Sequence, residues 1–106
     1  MPKEISSIHE IPKGSLNFLF FKFPQAVLWL AEHRNESHMT ILEGSRRNAD
    51  EIAVAGMITR TKKRIVVFAN GSSSLNIASK DSSELLKYLG QLPNPESTKI
   101  ELDGYN

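Results

Sequence analysis

Four cations fall within five positions at Arg60, Lys62, Lys63 and Arg64, and Arg46 and Arg47 form a second, smaller cluster. Side chains of this type bind phosphate oxygens with release of counterions, or steer an acidic protein surface into contact. These six are the candidate partner-binding residues. The other chemistry-bearing residue types assemble less readily. His33, Glu36 and His38 can be drawn as a two-histidine, one-carboxylate metal site, with His9 far away in the chain. Their spacing lacks the His-Glu-x-x-His pattern, and His33 and His38 read as parts of different elements, so no metal is expected. Serines cluster at Ser72, Ser73 and Ser74 and at Ser82 and Ser83 without a Gly-x-Ser-x-Gly elbow or an adjacent base. Asp50 and Glu51 are neighbours, and neighbours on a strand point to opposite faces. Gly44, Gly56 and Gly71 are isolated, so no glycine-rich loop is available to cradle a phosphate. Neither an enzyme nor a cofactor is expected.

Composition narrows the classes further. The chain has 106 residues and no cysteine, which excludes disulfide frameworks, thiolate metal sites and thiol chemistry. Thirteen Lys and Arg against twelve Asp and Glu give a net charge of +1, far from the strongly basic balance of a dedicated nucleic-acid binder. A hydrophobic fraction of 40% with 24% charged residues is that of a folded domain, not of a disordered chain. The polar start carries no apolar signal region. The most apolar stretch, residues 16–31, is broken by Asn17, Lys22, Pro24 and Gln25, which argues against a membrane span. A cytoplasmic location is the expectation.

Hydrophobic patterning then proposes the elements that position the cations. Residues 1–14 show no periodicity and read as a flexible arm. Leu16, Phe18, Phe20 and their aromatic neighbours read as a strand closed at Pro24. Pro24 suits a helix start, and residues 25–34 read as a helix packed deeply on a sheet, with Trp29 in the core. Residues 38–42 read as a second strand. The segment 51–61 fits strand or helix; the strand is favoured because Thr61, Lys62 and Lys63 can turn it into the β-branched run at 65–68. Asn70-Gly71 is a hairpin signal, with residues 75–78 returning beside it. Asp81 and Glu84 suggest a capping box for a helix whose apolar face is Leu85, Leu86, Tyr88, Leu89 and Leu92. Residues 94–106 give a loop and a short edge strand at Ile100 and Leu102.

The expected fold is α+β in a single domain, residues 1–106. An antiparallel sheet of about five to six strands carries two helices on one face, in the order β-α-β-β-β-β-α-β. Arg60, Lys62, Lys63 and Arg64 then sit at a hairpin tip, roughly 30 Å from Arg46 and Arg47 along one strand. With no catalytic constellation and a sheet face left uncovered, the chain reads as a small protein-binding module of inhibitor, immunity or adaptor type. The alternative is an RNA- or DNA-binding domain that uses the basic tip.

Overall fold

Leu16, Phe18 and Phe20 alternate with Asn17, Leu19 and Phe21, and all of these except Asn17 are buried. Successive side chains of a strand point to opposite faces, so a strand buried on both must be covered on both. The computed structural model, which describes residues 1–22, 24–78 and 82–103, shows how this is done. The elements are β1 (Lys3–Ile5), a 3-10 turn (Ile8–Glu10), β2 (Gly14–Phe21), β3 (Val27–Leu30), α1 (His38–Ser45), a second 3-10 turn (Ala49–Glu51), β4 (Ile52–Arg60), β5 (Arg64–Phe68), α2 (Ser83–Gln91) and β6 (Lys99–Leu102). The fold is α+β, with one six-stranded sheet in the order β1-β3-β2-β4-β5-β6. Every pairing is antiparallel except β5 with β6, which is parallel.

The two helices lie on opposite faces, where the sequence suggested one. Phe20 meets Tyr88 of α2 with ring centroids 5.4 Å apart, and the Tyr88 hydroxyl donates to the Ile5 carbonyl. Leu85 and Leu89 of α2 are buried, as are Ile58, Ile65 and Val67 on the sheet face that carries Phe20, and α2 also approaches β6. Phe21 points the other way, beneath the Arg47 guanidinium just past α1. On that side the Asn17 amide donates to the Glu36 carbonyl just before α1, and Ile41 is fully buried. The helix α1 packs mainly over β1, β2 and β3. Met57, Thr59, Val66 and Phe68, farther along the same face, remain half-buried.

The element order is therefore β-β-β-α-β-β-α-β, and it departs from the expected order at residues 3–5, 27–30, 38–45 and 75–78. Residues 25–34 do not form a helix: Val27, Leu28, Trp29 and Leu30 are β3, between β1 and β2. A continuous apolar run fits a strand buried on both sides as well as it fits a buried helix, and Pro24 sits in the β2–β3 connection instead of opening a helix. Trp29 is half-buried against the core. Residues 38–42, read as a strand, belong to α1. Ser37 caps that helix by accepting from the Thr40 amide at 3.2 Å, and Arg46 closes it in the left-handed region at φ 59°.

The N-terminal segment is not a flexible arm. It contributes β1 and a 3-10 turn, and Ile5, Ile8 and Ile11 are each at most 2% exposed. The hairpin signal at Asn70-Gly71 yields a single bridge, Ser72 to Ile77, around a turn that ends with Asn76 at φ 57°. Asp81, the expected helix cap, lies outside the described residues. The strand at 52–60, the turn at Lys62 and Lys63, the strand at 64–68, the helix α2 and the edge strand β6 stand as read.

Candidate functional site

Arg60 ends β4 on the face shared with α2, and it is only 7% exposed. A guanidinium has no acceptor capacity and five donors, so its burial requires oxygens around it. One terminal nitrogen, Nη1, donates to the carbonyls of Ile8 (3.0 Å) and Ile11 (2.8 Å). The other, Nη2, donates to Glu96 Oε1 (3.1 Å) and to Thr98 Oγ1 (3.4 Å). The Nε has no partner among the described residues. Arg60 is thus a structural clamp across three chain segments, and it leaves the candidate contact set.

Lys62 and Lys63, the two residues between Thr61 and Arg64, whose N–H and C=O close the turn at 2.9 Å, remain exposed at the tip together with Arg64. Arg64 faces Glu101 on β6 at 3.5 Å. Arg46 and Arg47 stand near the other end of β4, and at 3.4 Å per residue that strand is about 27 Å long. The fold does not merge the two clusters. Arg47 is held over Phe21 at 5.2 Å, and Arg46 is engaged in ending α1.

The structure brings other residues to the tip instead. Lys13, Lys62 and Lys63 surround a groove of about 570 Å³ whose remaining wall is Arg60, Glu96, Ser97 and Thr98. That wall is preformed. The Asn94 side chain accepts from the Thr98 amide and donates to the Thr98 carbonyl, both at 2.9 Å, while Ser97 adopts φ 54°. The one carboxylate of the groove, Glu96, is engaged by Arg60, and no carboxylate partner is found for Lys13, Lys62 or Lys63 among the described residues. Sequence reasoning missed Lys13, Glu96, Ser97 and Thr98. The last three follow an Asn-Pro loop signal directly before the edge strand, whereas Lys13 stands in the Pro12-Lys13-Gly14 stretch that read as part of an arm.

Strand β6 leaves this groove and forms one border of the sheet. Its Lys99 amide donates to the Lys63 carbonyl at 3.2 Å, and the Asp103 amide donates to Val67 at 2.9 Å. Residues in parallel pairing alternate, so the odd-numbered backbone groups face β5 and those of Ile100 and Leu102 face outward. The side chains of Ile100 and Leu102 are half-buried against the core. An outward row of backbone donors and acceptors on a well-anchored strand can accept a further strand.

Two other clusters gather chemistry-bearing side chains. His33 Nε2 lies 3.8 Å from Glu36, but His38 turns to the Gly56 carbonyl at 2.8 Å, so the drawn metal triad is not assembled. Among the described residues no group of three or more His, Asp or Glu is placed to hold a metal ion. Ser72, Ser73 and Ser74 share a polar cleft with Asn17 and His38, which the sequence did not foresee. The Ser72 hydroxyl is occupied within its own turn, by Ser74 at 3.2 Å and by the Leu75 amide at 3.3 Å. No helix of the described residues is long and apolar enough to cross a membrane. Neither a protein-family model, nor a curated protein, nor a solved structure matches this chain.

Proposed function

We propose that this chain is a protein-binding module without catalytic activity of its own, which docks by adding an extended segment of its partner to the β6 edge. The observation that carries this reading is the outward backbone row at Ile100 and Leu102, on a strand anchored by its inner bonds to β5. Main-chain pairing supplies affinity there, and the half-buried Ile100 and Leu102 side chains flank it with apolar surface. The nucleic-acid alternative is weaker than the sequence made it. Of its tip cations, Arg60 is consumed internally and Arg64 faces a carboxylate. Among the described residues, the lining of the groove also contains no aromatic ring on which a base could stack.

The test is a proline at a position whose amide does not bond β5. Ile100→Pro removes one outward N–H and spares the inner ladder, which edge strands tolerate. Captured from its native host, the parent protein should bring down a protein that Ile100→Pro does not, while both remain folded by circular dichroism. Equal capture by the two would refute edge docking. Binding of labelled RNA or DNA by the parent protein at low salt would favour the alternative.

A further inference from the structure

We infer that the lysine groove is an anion subsite continuous with the β6 edge, and that it takes an Asp/Glu-rich run flanking the extended segment of the partner. The inference rests on edge docking for the course of the partner chain. The groove itself stands on separate observations.

The first observation is charge. Lys13 comes from the approach to β2 and Lys62 and Lys63 from the hairpin tip, so two distant segments converge on one concavity. Glu96 and Arg60 largely offset one another at 3.1 Å, which leaves the three ammonium groups as the uncompensated charge. The second is position. Ser97 and Thr98 line the groove and lead directly into Lys99, the first residue of β6. A strand laid along β6 therefore runs into the groove as it passes the start of that strand. The third is preorganisation. Asn94 pins Thr98 through both its backbone groups, so the wall needs no ordering when a ligand arrives.

The chemistry of the cations selects the ligand. Lysine presents a point charge with three donors, so each ammonium takes a single anionic oxygen, whereas bidentate recognition of a carboxylate or a phosphate favours arginine. The groove's only arginine has both terminal nitrogens committed to Ile8, Ile11, Glu96 and Thr98. A set of separated carboxylates matches separated ammonium groups better than one compact phosphate does.

The experiment uses the full chain and defined probes, read by backbone amide NMR. Tri-glutamate alone should shift the Lys62, Lys63, Ser97 and Thr98 amides in a saturable manner, and Lys62→Ala/Lys63→Ala should bind it roughly fivefold more weakly. Failure to shift those amides, or equal binding by the double variant, overturns the subsite. A Thr/Val-rich peptide with an acidic run at one end or the other should shift the β6 amides as well. Its Asn/Gln counterpart should bind more weakly to the parent protein, and the two should bind alike to the double variant. Ile100→Pro should lose the β6 response and retain the tri-glutamate response. If tri-glutamate binds but neither peptide reaches β6, edge docking fails and with it the continuity claimed here, while the anion site persists. Oligothymidylate that binds more tightly than tri-glutamate would overturn the assignment to an acidic protein segment.

Discussion

The two faces of the sheet are finished to different degrees. Beneath α2, the side chains of Phe18, Phe20, Ile58, Ile65 and Val67 are at most 1% exposed, and even the charged Arg60 is folded in. Beneath α1, Leu19 and Phe21 are buried as deeply, but Met57, Thr59, Val66 and Phe68 are only half-covered. The difference follows from helix placement. The helix α1 spans the β1, β3 and β2 side, and among the described residues no second helix covers the β4 and β5 side of its face. Burial is thus complete beneath α2, and on the other face only the β4 and β5 side can change at small cost.

The sharpest way to break that comparison is a matched pair of substitutions. Phe20→Ala should lower unfolding free energy by about 3–5 kcal/mol, whereas Val66→Thr on the open side should cost well under about 1.5 kcal/mol. Denaturant midpoints at constant slope measure both, and comparable losses would mean that the faces are equally loaded.

Arg60→Met comes next. It keeps much of the side-chain volume and strands the Ile8 and Ile11 carbonyls, so about 2–4 kcal/mol should be lost. An unchanged midpoint would show that the clamp adds nothing and return Arg60 to the candidate contact residues.

The smallest effect concerns pH at the α2 contact. Burial, reinforced by the negative charge of Glu4, pushes the Tyr88 hydroxyl above its ordinary range. The folded chain then holds the Tyr88 proton more tightly than the unfolded one. Its contribution is fully present below the unfolded value and is lost as pH rises through the folded value. Tyr88→Phe should therefore flatten the alkaline decline in stability, and the ultraviolet transition that this variant loses should lie above the ordinary tyrosine range. Identical declines would remove burial of this hydroxyl as a cause.

How far the residues alone announced this depends on how local the deciding physics is. The β-branched run at 65–68, the lysine turn before it and the amphipathic stripe of α2 are short-range signals, and they were readable. The stretch at residues 27–30 was not, because Val-Leu-Trp-Leu suits any environment buried on all sides. Only its partners on β1 and β2 decide between helix and strand. Residues 38–42 failed for the opposite reason: a one-residue cap at Ser37 outweighed the β-branched Thr40 and Ile41. At the candidate site, Lys62 and Lys63 were visible as charge. Their convergence with Lys13 and Ser97 depends on tertiary approach, and so does the burial of Arg60, which no spacing rule anticipates.

The reach of Arg60 also bears on when this molecule can become itself during synthesis. One side chain in the middle of the chain binds carbonyls at residues 8 and 11 and side chains at residues 96 and 98. The ribosome delivers these groups at separate times, at about 5–20 residues per second. The sheet from β1 through β5 can assemble while the guanidinium has met only its early partners. Until residues 96–98 emerge, that nascent sheet keeps a partly paired cation at its margin and exposes the outer side of β5. Residues 96–102 supply both the missing oxygens and the strand that covers that margin, so one event completes the charge and the edge together.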